Sequence, residues 1–167
     1  MLYLVYNQTR KGVNKMPNKS IYFDMDGTIA SLYQVEDWLN KLRAFDPEPY
    51  LSAPPMYDME ELSSIICDLK AQGWTVGVIT WLSKEYTPEY DSRVRRAKIK
   101  WLNQYLSVEL DEVHMIRYGR EKYNFADVKE GFLIDDNAGV RESWEKCGGV
   151  AINPDETLFQ FLRGLVQ

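Results

Sequence analysis

Apolar positions along the chain form two kinds of pattern, and these alternate from one end to the other. Short β-rich runs of consecutive apolar residues predict strands, whereas apolar residues spaced three and four apart predict helices. This alternation is typical of an α/β fold in which helices cover a mainly parallel sheet. The pattern predicts five strands, at 20–24, 75–80, 112–116, 131–134 and 150–152, and helices at 34–45, 59–69, 92–106, 140–146 and 156–165.

Two segments interrupt the alternation. Residues 47–55 contain four prolines and predict a loop, because proline continues neither a helix interior nor a central strand. Residues 1–17 fit neither pattern and leave three possibilities open. They are an extra edge strand, a disordered arm, or a stretch upstream of the true start, since Met16 is a second possible initiator.

Composition and charge narrow the classes of function. The 167 residues are 45% hydrophobic, which fits one domain with its own core. A net charge of −5 argues against stable nucleic-acid binding but permits a small phosphorylated ligand held by one or two local cations. Two cysteines, Cys67 and Cys147, are too few for a disulfide scaffold, and we expect both to be buried. No apolar run approaches the roughly 20 residues of a membrane helix, so we expect a cytoplasmic protein without membrane contact.

Acidic residues follow two of the predicted strands. Asp24 and Asp26 come at the end of the first strand, and Asp135 and Asp136 at the end of the fourth. The carboxyl ends of parallel strands meet at one edge of the sheet, where ligands bind in open α/β folds. Four carboxylates gathered there would repel one another unless a cation lay between them, and oxygen ligands suit Mg²⁺. The sequence therefore predicts a magnesium site at this edge.

Two more polar residues belong to the same edge. Thr80 ends the second strand, and Lys122 precedes the fourth. A hydroxyl and an ammonium group beside a metal site would hold and neutralise phosphoryl oxygens. Taken singly, such residues have ordinary structural explanations, since Asp-Gly pairs form turns and aspartates cap helices. The ordered set, with its members at strand ends, favours a functional interpretation.

These residues also carry a resemblance to a known superfamily. Residues 23–28 (Phe-Asp-Met-Asp-Gly-Thr), Thr80, Lys122 and residues 134–137 (Ile-Asp-Asp-Asn) resemble, in that order, the four motifs of the haloacid dehalogenase-like (HAD) phosphatases. Receiver domains use similar residues in a different order. The resemblance covers roughly residues 20–152 and implies a Rossmann-like three-layer sandwich with a mainly parallel five-stranded sheet. It divides the chain into an N-terminal arm or extra strand at 1–17, a HAD-like core at 18–30 and 59–167, and a small cap insert at 31–58.

The resemblance implies a reaction as well. Asp24 is the expected nucleophile, which takes the phosphoryl group as an aspartyl-phosphate. Asp26 is the expected acid for the leaving oxygen and the expected base for the attacking water. The expected ligands of Mg²⁺ are Asp24, Asp26, Asp135 and Asp136, with the direct ligand of the last pair left open. The expected phosphate-binding residues are Thr80, Trp81, through its backbone N–H, and Lys122.

A closer resemblance concerns the substrate. Residues 98–106, 120–122 and 134–136 are similar to the 5′(3′)-deoxyribonucleotidases, which implies a 5′-nucleotidase acting on nucleoside monophosphates. Lys98 matches a lysine of that family and is a second candidate for the phosphate cation. The alternative places it on the solvated face of an ordinary helix, together with Arg93, Arg95, Arg96 and Lys100.

The predicted cap departs from the deoxyribonucleotidases. It is shorter than theirs, and Leu32 stands where they carry a base-stacking aromatic residue, although Tyr33 is adjacent. Its other aromatic residues either stack on a base or, as we favour, mostly fill the core of the cap: Trp38, Phe45, Tyr50 and Tyr57. Two alternatives therefore stay open. One is a phosphatase of sugar phosphates or other small phosphoesters, and the other is a non-catalytic binding module with the HAD fold.

Overall fold

The computed structural model describes residues 19–166, so the predicted arm at 1–17 lies outside the described part. The strands are β1 Ser20–Phe23, β2 Thr75–Trp81, β3 Glu112–Ile116, β4 Phe132–Ile134 and β5 Val150–Ile152. The α-helices are α1 Trp38–Arg43, α2 Glu48–Ser52, α3 Met59–Ala71, α4 Pro88–Tyr105, α5 Ala138–Lys146 and α6 Leu158–Leu165. Short 3-10 helices cover Leu32–Gln34 and Lys122–Phe125.

The five strands form one parallel sheet in the order β3-β2-β1-β4-β5. Strand β1 is central, with Tyr22 opposite Gly77 of β2 and Leu133 of β4. All four of its residues are buried, as expected for a strand covered on both faces. The predicted α/β fold is confirmed, and each predicted strand lies within one residue of the observed one.

Apolar clusters on both faces of the sheet make the structure three-layered. Side chains alternate between the faces along β1, so that Ile21 and Phe23 join one cluster and Tyr22 the other. The larger cluster packs α3, α4 and α6 on the sheet, and the smaller one contains Trp144 of α5. The core thus fixes the sheet, and the loops that follow β1, β2 and β4 are left at one edge.

The proline-rich segment corrects one prediction. Residues 47–55 contain helix α2 rather than only a loop, because Pro49 lies in the first turn, where its missing N–H costs no hydrogen bond. The predicted helix at 34–45 is also shorter in the structure. Asp37, with a left-handed φ of 57°, separates the first 3-10 helix from α1.

Two other features bear on the sequence expectations. Both cysteines, Cys67 and Cys147, are exposed, so the prediction that they are buried is wrong. Within residues 19–166, no helix combines the length and the apolar composition that crossing a bilayer would require.

Candidate active site

The parallel pairing of β1 and β4 places two aspartates side by side. Asp24 directly follows β1, and its N–H donates to the carbonyl of Ile134 at the end of β4 (2.9 Å). Asp135 directly follows β4, and its N–H donates to the carbonyl of Ile152 at the end of β5 (3.1 Å). Each strand end is thereby tied to its neighbour, and both carboxylates lie at the same edge of the sheet.

Three carboxylates form a close group at this edge. Asp24, Asp135 and Asp136 each offer an oxygen, and these oxygens lie within 4.8 Å of one another. Burial and the charge of Asp24 raise the pKa of Asp135 to about 6, and the same two causes raise the pKa of Asp136. The group is a set of hard oxygen donors of the kind that binds Mg²⁺ or Ca²⁺.

Lys122 bridges two members of this group. Its ammonium group, from the start of the second 3-10 helix, lies 2.6 Å from Asp24 Oδ1 and 2.7 Å from Asp135 Oδ2. Burial by itself would lower the pKa of Lys122, but the charges of Asp24 and Asp135 and the hydrogen bonds to them raise it. Lys122 therefore stays charged and offsets part of the repulsion between the two carboxylates.

Asp26 meets a different lysine. Its Oδ2 accepts a hydrogen bond of 2.5 Å from Lys98 Nζ, which also donates to Thr80 Oγ1 at 2.9 Å. Burial raises the pKa of Asp26 while the charge of Lys98 opposes that rise. The carboxylate of Asp26 is thus directed to Lys98, and it does not belong to the three-carboxylate group described above.

The loop after β1 depends on a glycine and a threonine. Gly27 has a φ of +81°, and a Cβ at this position would collide with the carboxylate of Asp136. Thr28 Oγ1 accepts from the N–H of Asp136 at 3.2 Å and donates to its Oδ1 at 3.4 Å. These contacts hold the loop after β1 against the loop after β4, where Asn137 caps helix α5.

A cavity of about 350 Å³ opens above the carboxylates. Asp24, Asp26 and Lys122 line it. The apolar and aromatic lining from the predicted cap comprises Leu32, Tyr33, Trp38, Leu39, Leu42 and Tyr50. The volume lies at the small end of the range of ligand pockets, roughly 300–1,000 Å³, which fits one small molecule.

Two aromatic pairs lie in the lining of this cavity. The rings of Tyr33 and Trp38, from the predicted cap, lie 5.1 Å apart, and those of Trp81 and Tyr118, from the core, lie 5.0 Å apart. The indole of Trp81 donates to the carbonyl of Arg120 at 2.8 Å, which fixes its orientation. The cavity therefore offers flat apolar surfaces beside a strongly charged floor.

The structure brings the predicted site residues together in two sets. Lys122 contacts two members of the three-carboxylate group. Thr80 and Asp26 form the second set, because both accept a hydrogen bond from Lys98. Thr80 is fully buried and, among the described residues, it lies behind the lining of the cavity rather than in it. Trp81 lines the cavity with its side chain, and the predicted role of its backbone N–H stays a prediction.

Lys98 is the residue that the sequence interpretation placed least well. It is 0% exposed, so the alternative of a solvated helix face is wrong for this residue, although Arg93, Arg95, Arg96 and Lys100 are exposed. The missed signal was its spacing. Lys98 lies four residues after Val94 and three before Trp101, which puts it on the apolar face of α4.

Comparisons with known proteins concern the fold. No protein-family model matches the chain, and no curated protein matches its sequence. Among solved structures, D,D-heptose 1,7-bisphosphate phosphatase from B. bronchiseptica, complexed with magnesium and phosphate, is 16% identical with a TM-score of 0.52, over 80% of this chain and 78% of that one. The enzyme of the same name from Burkholderia thailandensis is 12% identical with a TM-score of 0.50, over 79% and 75%. A predicted HAD-like family hydrolase from Porphyromonas gingivalis is 13% identical with a TM-score of 0.52, over 90% and 98%.

These likenesses define the class of fold. The chain has the α/β fold of HAD-like hydrolases, as its motifs predict, and it spans three quarters or more of each of these structures. At such identities the likeness concerns the fold alone. The nucleotidase resemblance is not confirmed by these neighbours, two of which are named as sugar-phosphate phosphatases.

Proposed function

We propose that the protein is a Mg²⁺-dependent phosphomonoester hydrolase of the HAD superfamily that forms an aspartyl-phosphate and acts on nucleoside monophosphates. One observation carries the proposal: the loop after β1 presents two aspartates in different electrostatic settings. Asp24 lies in the three-carboxylate group and contacts Lys122, whereas Asp26 is partly exposed and pairs with the buried Lys98. Such a division suits one carboxylate that attacks and one that carries a proton.

The donor set fits the predicted metal ion. The proposed carboxylate ligands are Asp24, Asp135 and Asp136, whose oxygens lie within 4.8 Å of one another. Asp26 was predicted as a further ligand, but its Oδ2 is occupied by Lys98, so we assign its carboxylate to proton transfer. When bound, a divalent cation would neutralise these carboxylates and polarise the phosphoryl group.

The reaction follows from the roles of the two aspartates. In the first step, an oxygen of Asp24 attacks phosphorus, the bond from phosphorus to the leaving oxygen breaks, and Asp26 gives that oxygen its proton. In the second step, Asp26 takes a proton from water, the water oxygen attacks phosphorus, and the bond to Asp24 breaks to release phosphate. Lys122 and the backbone N–H of Trp81 are the proposed partners of the phosphoryl oxygens. Thr80 was predicted as a third partner, but it lies behind the cavity lining and accepts a hydrogen bond from Lys98, so we do not assign it to the phosphoryl group.

The aromatic lining supports a nucleotide as substrate. A base has flat faces, and stacking on an aromatic side chain contributes about 1–3 kcal/mol per base. The Trp81–Tyr118 and Tyr33–Trp38 pairs offer such faces at the cavity. Sugar phosphates remain the second candidate, because two structures with the same fold are named as heptose bisphosphate phosphatases.

Phosphate release from an aryl phosphate, with Mg²⁺ or with a chelator, tests the class of activity. We expect turnover only with Mg²⁺, and Asp24→Asn should reduce it to the background rate. Asp26→Asn keeps the nucleophile Asp24 but removes the acid, so it should slow the departure of the leaving group. Wild-type turnover no greater than that of Asp24→Asn would refute catalysis and leave the binding module as the better description.

A substrate panel tests the nucleotide assignment separately. Nucleoside monophosphates should show a higher kcat/KM than sugar phosphates of equal charge under the same Mg²⁺ concentration. The reverse order would replace the nucleotidase proposal with a sugar-phosphate phosphatase. Equal and poor turnover of both classes would remove the nucleotide assignment without touching the phosphatase assignment.

A further inference from the structure

Lys98 is a buried cation that the proposed reaction leaves without a task. It projects from the apolar face of α4, is 0% exposed and does not line the cavity, in contrast to Lys122. A buried ammonium group carries a large desolvation cost, so its partners must compensate for the loss of water. The identity of those partners shows what the charge does.

Three groups surround the ammonium of Lys98. Asp26 Oδ2 lies at 2.5 Å, Thr80 Oγ1 at 2.9 Å, and the ring centroid of Tyr50 at 4.6 Å. Because lysine is only a donor, both oxygens act as acceptors. The loop after β1, strand β2, helix α4 and helix α2 of the predicted cap therefore meet at this one charge.

We infer that Lys98 is a positioning residue that fixes the side chain of Asp26 for proton transfer to the leaving group. This inference rests on the proposed function. The charge-assisted hydrogen bond holds Oδ2 of Asp26, so that Oδ1 is the oxygen that carries the proton, and Thr80 holds the ammonium in place. A cation used in this way does not bind the phosphoryl group itself.

The geometry separates this role from that of a phosphate-binding cation. Lys122 lines the cavity and bridges Asp24 and Asp135, the groups proposed for attack and metal binding. Lys98 lies behind Asp26, and a phosphoryl group could reach it only if Asp26 moved away. Loss of Lys98 should therefore affect departure of the leaving group far more than affinity for phosphate.

A series of aryl phosphates with phenols of increasing pKa tests the inference. We compare Lys98→Met with wild type in Mg²⁺ and use Lys100→Met, an exposed site on the same helix, as the matched control. General acids typically contribute 10²–10⁴-fold, so kcat/KM, which reports the step that releases the phenol, should fall about 100-fold or more for the poorest leaving groups. For the best leaving groups it should fall roughly 10-fold or less, because they depart without a proton. The inhibition constant of inorganic phosphate should change less than about twofold if binding is untouched.

A double variant shows whether Lys98 acts through Asp26. In an Asp26→Asn background, Lys98→Met should add no further leaving-group dependence, since the group that it positions is already lost. If Lys98→Met fails to give a cooperative melt, Lys98→Gln, which keeps an N–H donor without the charge, takes its place in the same comparison.

Equal losses of kcat/KM for all phenols, or a weaker affinity for inorganic phosphate, would overturn the inference while the phosphatase assignment stands. Absence of turnover by wild type would overturn both.

Discussion

Substitution of Lys122 by methionine gives the sharpest test of the acidic group. The side chains of Lys122 and Asp135 are each 2% exposed, and that of Asp24 is 10% exposed. Removal of the ammonium leaves the two buried carboxylates without their shared cation. The methyl group of methionine takes the place of the ammonium and offers them no hydrogen bond. Breaking one buried ion pair in this way costs about 3–5 kcal/mol. We expect Lys122→Met to lose about that much free energy of unfolding in the absence of divalent ions.

Urea unfolding at pH 7.5, followed by tryptophan fluorescence, measures this loss. The matched control is Lys129→Met, because Lys129 is exposed and lies in the same connection before β4. It should change the free energy of unfolding by less than about 0.5 kcal/mol. The slope against urea should stay the same in both variants, which would show that the native state is still compact.

Addition of Mg²⁺ extends the same measurement. If the ion binds among Asp24, Asp135 and Asp136, it replaces the missing positive charge, so the deficit of Lys122→Met should shrink in Mg²⁺. A loss below about 1 kcal/mol in chelator, no larger than that of Lys129→Met, would contradict the argument from burial. A deficit unchanged by Mg²⁺ would place the ion elsewhere.

Three further outcomes follow from the site. Because burial raises the pKa of Asp135 to about 6, the folded chain binds more protons than the unfolded one between about pH 4 and 6, and the stabilisation falls as pH rises through this window. Urea unfolding without divalent ions gives the free energy of unfolding of wild type minus that of Asp135→Asn, and this difference should decline by roughly 2–3 kcal/mol from pH 4 to 7. Parallel pH profiles of the two proteins would contradict this. Gly27→Ala should lower the free energy of unfolding by about 1–3 kcal/mol more than Gly73→Ala. Both glycines have positive φ, but only a Cβ at Gly27 collides with a neighbouring side chain. Equal losses in thermal melts would show that the collision has no effect on stability. Trp81→Leu should raise KM for nucleoside monophosphates about 5- to 150-fold, which corresponds to the loss of about 1–3 kcal/mol of stacking, and leave KM for sugar phosphates nearly unchanged. A uniform rise would show that the indole does not stack on a base.

The sheet was predictable because each strand carries its own signal. The runs at 112–116 and 150–152 are found with the predicted bounds, and alternation with helices fixes the parallel direction. The segment at 47–55 was not predicted correctly, since prolines exclude a helix interior but not a first turn. Short helices of five or six residues also lack the repeated spacing that makes a longer helix evident.

The sequence predicts the positions of the aspartates in the site but not their pairing with the lysines. The positions of Asp24 and Asp135 follow from the parallel pairing of their strands, which chain order and apolar pattern both favour. The pairing of each lysine with a particular carboxylate does not follow from the sequence, because it depends on ångström-scale placement of α4 and the second 3-10 helix. The burial of Lys98 was within reach, since its spacing from Val94 and Trp101 marks the apolar face.

Two lysines from separate elements give the two aspartates of one loop different chemistry. With all four carboxylates ionised, the two ammonium groups leave a formal excess of two negative charges at the site, which one divalent cation would neutralise. Because Lys122 is shared with the metal-binding group, its removal should act on stability and on phosphate affinity together. Because Lys98 contacts Asp26 and not Asp24, its removal should act on the leaving group instead. The two lysine variants should thus change different quantities, namely phosphate affinity for Lys122 and dependence on the leaving group for Lys98. Identical kinetic profiles for both would show that the site behaves as a single cluster of charges.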